Sequence, residues 1–532
     1  MVFRSREERL THIQEDASGF DIVIIGGGIT GAGIAREAAG SGLRTLLVEQ
    51  HDFAWGSSSR SSKMVHGGLR YLGSGRLRLT RDAVRERERL LHEAPGLIDP
   101  MRFLMPHYRR QFPGRRTMGL LLRLYDRLAG QSSRRFFTPA ETRQWAPGLI
   151  TDGLTGASSF VDAVTDDARL VQRLLEEAAR DGAVCINYLQ AVGIKKTGER
   201  VRGVTLQDAA GATRTSFEVS TPVVINATGV WAGDLCDDRT QRPSIRPLRG
   251  SHLVIPFSVL PISCCVSLLH PDDRRPVFAF PWLGATILGT TDLDHTADLN
   301  LEPRISNDEI DYLLRIASTL FPGLEVSRRD ILSTWAGVRP VVSSGKGLAP
   351  SKENREHVIW GDQGLISVTG GKLTTFRQIA RQVLTRSLPY LDAKSLREES
   401  ARLFRKPPVL TNTSKIGRHS WKHLRGSYGK LFPQVLACVP TTSLGMTVGT
   451  TATLWAELIW AATHGSVVHL DDLLLRRTRV GLLLPYGAQA LLPEIRRHCQ
   501  PVLGWSDERW HQESERYLHI WRAAYSVPEN SS

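Results

Sequence analysis

Asp21-Ile22-Val23-Ile24-Ile25-Gly26-Gly27-Gly28-Ile29-Thr30-Gly31 is the stretch that decides the fold of this 532-residue chain. Its apolar run is typical of a buried parallel strand, and a helix is predicted to follow over about residues 31–41. A second apolar strand, Thr45 to Val48, ends at Glu49. Strand, glycine turn, helix and terminal acid together form a βαβ unit, the setting in which G-x-G-x-x-G binds a dinucleotide.

Each glycine of this motif has a physical task. Gly26 permits the tight turn, Gly28 lets the backbone approach a pyrophosphate, and Gly31 lets the helix pack closely on the strand. The helix N-terminus offers N–H groups and a positive dipole end to phosphates. Glu49 can accept hydrogen bonds from a ribose hydroxyl, while its charge disfavours a 2′-phosphate.

The motif fits both NAD and FAD, and two observations favour FAD. The fingerprint occurs once and lies near the N-terminus. Further small-residue turns, Ala227-Thr228-Gly229 and the segment 369–375, each follow an apolar strand. The second of these turns opens a helix whose N-terminus would stabilise negative charge on a reduced flavin.

Composition narrows the class of protein. The net charge of +14, from 68 Lys+Arg against 54 Asp+Glu, attracts nucleic acid, acidic lipid or a phosphorylated substrate. Six cysteines without a Cys-x-x-Cys pair indicate reduced thiols, and we predict no metal site. We expect neither a signal peptide nor a transmembrane helix, since no apolar run approaches about 18 residues. A cytosolic location, or a peripheral position on the cytoplasmic face of the membrane, is therefore expected.

Residues 61–72, SSKMVHGGLRYL, closely resemble the signature of the FAD-dependent glycerol-3-phosphate dehydrogenases. Similar segments follow in order, including NATGVWA at 226–232, RGSH at 249–252, AGVRP at 336–340 and GGKLTT at 370–375. The resemblance implies oxidation of sn-glycerol 3-phosphate to dihydroxyacetone phosphate. Hydride would pass from C2 to the flavin N5 of FAD, and electrons on to a membrane quinone.

The resemblance also implies an α/β + α architecture in which a Rossmann-like FAD-binding domain carries a β-rich substrate (cap) domain and a C-terminal helical domain. We assign residues 1–18 to a polar arm. The FAD domain takes 19–110, 160–240 and 333–390, the substrate domain takes 111–159 and 241–332, and the helical domain takes 400–532.

Site residues are carried over by position from the resemblance. The residues expected near substrate are Arg70, Tyr71, His252, Arg339, Arg355 and Lys372. Arginines suit a phosphomonoester, and His252 has a suitable pKa for the base that takes the hydroxyl proton. We assign catalysis to His252, Arg339 and Lys372. Buried structural roles for His252 and His66, and an ion pair for Arg70, are the alternatives.

Cofactor contacts are predicted along four segments of the chain. They are Gly26, Gly28, Gly31, Glu49, Ser61, Ser62, Lys63, His66, Gly67, Gly68, Leu69, Ala227, Thr228, Gly229, Trp231, Gly371, Lys372, Leu373 and Thr374.

A basic amphipathic helix is predicted over residues 118–128. Met118, Leu121, Leu122, Tyr125 and Leu128 share one helical face, behind Arg109, Arg110, Arg115 and Arg116. Such a helix can lie on an anionic membrane surface or pack on the protein's own core.

Three rival functions stay open. A flavin oxidase would pass electrons to O2 and make H2O2. An RNA-modifying or RNA-binding flavoprotein would use the positive charge, although the basic residues are dispersed and no specific nucleic acid is expected. A flavin-binding sensor is the third. The oligomeric state, a homodimer included, is left open.

Overall fold

The computed structural model describes residues 5–529 apart from 70–71, 73–76, 131, 212–213, 236–242, 344, 346–349, 351–352, 354–355, 393–394 and 413–415. Its strands, numbered in chain order, are β1 Ile22–Ile25, β2 Thr45–Val48, β3 Met64–Val65, β4 Ile98–Tyr108, β5 Arg135–Phe137, β6 Leu154–Thr165, β7 Val184–Ile186, β8 Leu189–Thr197, β9 Arg200–Asp208, β10 Ser216–Ser220, β11 Val224–Asn226, β12 Ile245–Pro256, β13 Cys265–Leu269, β14 Pro276–Trp282, β15 Ala285–Gly289, β16 Leu293–Asp294, β17 Ser333–Val342, β18 Val358–Trp360 and β19 Leu365–Thr369.

The main helices are Arg6–Glu15, Ile29–Gly40, Leu77–Glu93, Arg115–Ala129, Pro139–Trp145, Asp167–Arg180, Asn307–Leu320, Phe376–Ser387, Arg418–Tyr428, Phe432–Leu436, Trp455–His464, Leu492–Leu503 and Asp507–Ala524. A π-helical turn spans Asp472–Arg477 and a short helix spans Val480–Leu483.

The predicted βαβ unit forms the centre of a six-stranded sheet of order β18-β19-β11-β1-β2-β7. All neighbours in it are parallel except the edge pair β18 and β19. The helices Ile29–Gly40, Asp167–Arg180 and Phe376–Ser387 share one apolar core with this sheet. The antiparallel sheet β10-β9-β8 shares a second apolar core with β1 and β2. The α/β prediction is thereby confirmed, and the carboxyl ends of β1, β2, β11 and β19 meet at one edge.

A second large sheet has the order β16-β12-β15-β14-β13-β4-β6-β3, with β17 paired to β12 and β5 to β6. Segments 98–108, 160–165 and 333–342, which the sequence assigns to the FAD domain, contribute strands to this sheet. Strand β4 pairs with β6 and β13, and β17 pairs with β12 over ten residues. Long-range ladder pairing, which local patterning does not specify, decides this strand membership.

The C-terminal part is helical, as predicted, and packs directly on the large sheet. Trp282 and Trp335 from the sheet share one core with Leu473 and Trp521 from the helices. The Ser333 hydroxyl donates to the Leu482 carbonyl at 2.7 Å. The helical domain is therefore joined to the β-rich domain through a common core.

Of the two alternatives for the amphipathic helix over residues 118–128, packing on the protein's own core is the one that its apolar face adopts. The helix spans Arg115–Ala129, and Met118, Leu122 and Tyr125 are almost fully buried in the cluster that contains Phe160. The opposite face leaves Leu120 and Leu124 67% and 39% exposed. The sequence left both alternatives open, because amphipathicity identifies an apolar face but not what covers it. Within the described residues, no helix combines the length and apolar character needed to cross a bilayer.

Candidate active site

The glycine turn after β1 is built from contacts that only glycine tolerates. Gly26 has φ +113°, and a Cβ there would lie 2.6 Å from the Ala227 carbonyl oxygen. A Cβ on Gly31 would lie 1.9 Å from the Gly26 carbonyl oxygen. Gly28 is the N-cap of the helix Ile29–Gly40 and provides no side-chain cap. The first turn of that helix therefore presents its N–H groups at the sheet edge, as a phosphate site requires.

Glu49 lies directly beyond β2, beside this turn. Its carboxylate accepts hydrogen bonds from the N–H groups of Gly27 at 2.7 Å and His51 at 2.9 Å. Burial raises the pKa of Glu49, although those backbone donors oppose the rise. The side chain is thus fixed at the position where a ribose hydroxyl would meet a carboxylate oxygen.

The turn after β11 supplies another wall. Gly229 has φ +66°, and its carbonyl accepts a 2.7 Å hydrogen bond from the Thr369 hydroxyl of β19. The Thr228 hydroxyl donates to Asn226 at 2.7 Å. The Trp231 indole N–H is buried and has no hydrogen-bond partner among the described residues. A buried unpaired donor, a helix N-terminus with glycine at its N-cap and an acid at a strand end together fit FAD, and Gly26, Gly28, Glu49, Ala227 and Trp231 would hold it.

The segment 61–69 meets the turn 371–374 across the long span of sequence between them. The His66 N–H donates to the Thr374 hydroxyl at 3.1 Å, and that hydroxyl lies 3.2 Å from the His66 carbonyl. The Gly67 N–H donates to the Tyr125 hydroxyl at 3.0 Å. Gly371 has φ +85°, and a Cβ on it would lie 2.4 Å from Ile379. These contacts bring the predicted residues of both segments to one place.

The remaining predicted residues of these two segments have varied surroundings. Gly68 adopts φ +77°, and Leu69 packs against the large apolar core. Lys372 precedes the short 3-10 turn Leu373–Thr375 that leads into the helix Phe376–Ser387. Ser61 donates through both its N–H and its hydroxyl to Asp167, at 3.0 and 2.7 Å.

His252, the predicted base, lies on β12 with a fully buried side chain. Its Nε2 is 2.9 Å from the Ser62 hydroxyl oxygen, and its ring stacks on Trp335 at 4.9 Å. Its Nδ1 has no partner among the described residues. Burial, the Arg339 charge and the Lys63 charge together hold the pKa of His252 well below 6.5. The imidazole is therefore neutral near pH 7, the form that accepts a proton.

Arg339 projects from β17 beside β12. Its guanidinium donates to Asp292 at 2.9 Å and to the Thr290 hydroxyl at 3.1 Å, and the side chain is 25% exposed. Arg275 lies 3.7 Å from the same Asp292 carboxylate. A Cβ on Gly250 would lie 2.4 Å from the Arg339 guanidinium, so glycine makes room for it. The site thus combines an oriented guanidinium with a neutral imidazole. Arg70, Tyr71 and Arg355 lie outside the described residues.

The carboxylates that bind the cations and serines around this site were not predicted from the sequence. Asp167, the first residue of its helix, binds Ser61, Lys63 and Arg479. The acidic pair Asp166 and Asp167 was visible only as a helix start, and no local signal indicates which distant cations a carboxylate will meet.

A second buried cluster, also not predicted, joins the helical domain to the FAD-binding sheet. Asp52 follows β2 and accepts hydrogen bonds from Arg476 at 2.5 Å and from Arg477 at 2.6 and 2.7 Å. Arg476 also binds Asp471 and Asp472, both at 2.6 Å. The helical domain therefore reaches the chain only a few residues from Glu49.

Comparison with known proteins gives a consistent picture. Residues 21–377 match the family described as FAD dependent oxidoreductase, and residues 370–510 match the C-terminal domain of alpha-glycerophosphate oxidase. Glycerol-3-phosphate dehydrogenase 2 of Mycobacterium tuberculosis is 34% identical over 94% of this chain and 87% of its own length. The aerobic glycerol-3-phosphate dehydrogenase of Bacillus subtilis is 37% identical over 71% of this chain and 68% of its own length.

A solved structure agrees over nearly the whole chain. The glycerol-3-phosphate dehydrogenase from Bacillus halodurans, complexed with FAD, is 25% identical and covers 97% of both chains with a TM-score of 0.74. The cofactor-binding geometry described above fits FAD independently of these likenesses. The chain therefore belongs to the family of FAD-dependent glycerol-3-phosphate dehydrogenases and oxidases.

Proposed function

We propose that this protein oxidises sn-glycerol 3-phosphate to dihydroxyacetone phosphate and passes the electrons to a membrane quinone. The observation that carries the proposal is the pairing of a buried neutral imidazole, His252, with the oriented guanidinium of Arg339. The names of the relatives from Mycobacterium tuberculosis and Bacillus subtilis supply the substrate. When bound, FAD supplies the hydride acceptor.

Side chains of the protein bind the substrate and accept its hydroxyl proton. The Arg339 guanidinium suits a phosphate or the C2 oxygen, and Asp292 and Thr290 fix its plane for two parallel hydrogen bonds. His252 accepts the C2 hydroxyl proton at Nε2, the ring nitrogen that faces Ser62. Lys372, at the start of the turn into the helix Phe376–Ser387, stabilises the C2 oxygen as its proton leaves.

The assay is anaerobic mixing of the purified yellow protein with sn-glycerol 3-phosphate while the oxidised flavin band near ~450 nm is followed. Bleaching by this substrate, but not by glycerol, supports the proposal and shows that the phosphate is recognised. A flavin that stays oxidised contradicts the substrate assignment. Glycerol 2-phosphate is a useful control, because it carries the phosphate but no secondary hydroxyl to oxidise.

The electron acceptor requires its own test, because the match to an oxidase C-terminal domain makes O2 the second candidate. The reduced protein is mixed in separate runs with a water-soluble quinone and with air-saturated buffer. Fast reoxidation by quinone with little H2O2 supports the dehydrogenase. Fast reoxidation by O2 with one H2O2 per flavin would establish the oxidase instead.

Membrane attachment belongs to the same proposal, since a quinone acceptor dissolves in lipid. The exposed face of the helix Arg115–Ala129 carries Leu120 and Leu124 among Arg116, Arg123 and Arg127, and Phe112 precedes it at 75% exposure. Apolar side chains ringed by arginines suit an anionic lipid surface, where each cation contributes about 1 kcal/mol. We assign peripheral attachment to this exposed face.

A further inference from the structure

Lys63 is a fully buried cation beside the candidate active site. Its ammonium donates to the Asp167 carboxylate at 2.9 Å and to the Ser59 carbonyl at 3.0 Å. Its backbone has φ +57°, the left-handed region that a lysine seldom adopts. A buried charge in an uncommon backbone conformation is costly, so packing alone is a poor explanation for a lysine at this position.

Asp167 has other partners besides Lys63. Arg479 from the helical domain binds the same carboxylate at 2.6 Å, and Ser61 donates to it through two groups. Arg479 also binds Asp166 at 2.8 Å, so the two cations Lys63 and Arg479 balance the two carboxylates. The ammonium group makes further contacts on its other side.

That side is aromatic and leads to His252. The Lys63 ammonium nitrogen lies 4.8 Å from the Trp282 ring centroid and 4.5 Å from that of Trp335. Trp335 in turn stacks on the His252 ring with an interplanar angle of 19°. A cation over an indole face is attractive, more so in a desolvated site such as this one. Lys63, Trp335 and His252 thus form a packed row.

We propose that Lys63 is a positioning residue for the oxidation: its buried ammonium, fixed by Asp167, holds Trp335 against His252 and keeps the imidazole uncharged and directed at Ser62. The inference rests on the proposed function, in which His252 accepts the substrate proton. The contacts of the Lys63 ammonium are with Asp167, the Ser59 carbonyl and the two indole rings, so we assign it a role through Trp335 and not as a catalytic residue. Its neighbour Ser62 bonds the imidazole, so the same short segment orients His252 on two sides.

The charges around the row agree with this role. Among the described residues, the charged groups that act on His252 are Arg339 and Lys63, both cations. Burial comes first in lowering the pKa of His252, and these two charges add to it. Lys63 is itself faced by Asp167, Asp166 and Arg479, and burial lowers its pKa to about 8. Lys63 is therefore charged over the acidic range in which a histidine would take up a proton.

The size of the effect follows from distance. The ammonium nitrogen and the imidazole centroid lie 4.5 and 4.9 Å from the Trp335 ring centroid, so they are at most about 9 Å apart. At an effective dielectric constant of about 20, one unit charge at that distance changes a pKa by about one unit. The acidic limb of the pH–rate profile is the range in which the rate falls because His252 takes up a proton. Loss of Lys63 should therefore move this limb upward by about one pH unit.

The test measures the rate of flavin reduction by sn-glycerol 3-phosphate against pH in the FAD-loaded protein, for wild type, Lys63→Met and Lys63→Arg. We expect the acidic limb to move up by about one unit in K63M and to stay in place in K63R. The matched control is Lys422→Met, which breaks a partly exposed pair with Asp99 and should leave the limb unchanged, because solvent screens that charge.

Asp167→Asn tests the direction of the shift in the acidic limb, and this test does not depend on whether K63M folds well. It removes an anion from the same cluster, so the limb should not move upward. A K63M enzyme that is slower at every pH with an unmoved limb would overturn the inference, as would an upward shift in D167N. Failure of wild type to be reduced would overturn the proposed function and this inference together, whereas an unmoved limb in a reducible enzyme overturns this inference alone.

Discussion

Removal of the Asp52 charge tests whether the buried ion cluster holds the helical domain on the FAD-binding sheet. Asp52 is fully buried, and Asp52→Asn keeps its shape while deleting one negative charge. Arg476 would retain Asp471 and Asp472, both at 2.6 Å. Among the described residues, Arg477 would retain no carboxylate, since its other hydrogen bonds are to the backbone carbonyls of Gly465 at 2.6 Å and Ser466 at 3.5 Å. One buried guanidinium is thereby left without a counter-charge.

Breaking a buried ion pair by removing one partner costs about 3–5 kcal/mol. In urea, with a slope of about 3 kcal/mol per molar or more for a chain of this size, this corresponds to a midpoint lower by about 1 M. The structure predicts that undocking of the helical domain releases FAD, because Asp52 follows Glu49 closely in the chain. Flavin fluorescence, which rises on release, and tryptophan fluorescence should therefore shift together.

The control is Asp99→Asn, which breaks a partly exposed pair with Lys422 and should cost less than about 1 kcal/mol. The double variant Asp52→Asn/Arg477→Met should recover part of the loss, since it removes the stranded cation. A D52N midpoint equal to that of D99N, or a double variant no better than D52N, would refute the reasoning.

The stability that this ion cluster contributes should change with pH in a defined direction. Burial alone would raise the pKa of Asp52, but Arg477 and Arg476 outweigh it and hold the pKa below its usual value. A depressed folded-state pKa contributes stability that is present above the unfolded value of about 3.9 and is lost as the pH falls through the folded value. The wild-type midpoint should therefore fall in acid, with a smaller fall in D52N.

Three further predictions concern the cofactor, the base and the membrane. Gly31→Ala should weaken FAD binding by about 10-fold or more, because its Cβ would lie 1.9 Å from the Gly26 carbonyl oxygen. Gly119→Ala is the control, since there is open space around its Cβ. Equal FAD dissociation constants for the two variants, measured by titration, would contradict this prediction. His252→Gln should slow flavin reduction by about 10²–10⁴-fold while FAD remains bound. In wild type, the acidic limb of the pH–rate profile should lie below pH 6.5, because burial lowers the pKa of His252. Stopped-flow rates in the variant that match wild type would contradict the assignment of His252 as the base. Leu120→Gln/Leu124→Gln should reduce co-sedimentation with anionic vesicles by about 10-fold or more. Val409→Gln, which changes an exposed residue elsewhere, should not reduce it. Equal losses in both variants would indicate that this helix face is not the attachment site.

The sequence by itself determined the parts of this protein that depend on short-range pattern. The apolar run before Gly26, the glycine spacing and Glu49 predict the βαβ unit because strand, turn and helix are each dictated by neighbouring residues. The helical C-terminal domain was accessible in the same way, whereas the substrate-site residues were implied by the resemblance to a known family. The contacts at Gly26 and Gly31 then supply the steric reason for those glycines.

Only the tertiary structure decided which distant residues meet. Lys63 binds Asp167 across 104 residues, His66 meets Thr374 across 308, and Asp52 meets Arg476 across 424. The same holds for the helix Arg115–Ala129, where packing covered Met118 and Leu122 and left Leu120 and Leu124 exposed. Charge pairing and burial are set by what lies opposite a side chain in space, and a one-dimensional pattern of polarity does not contain that information.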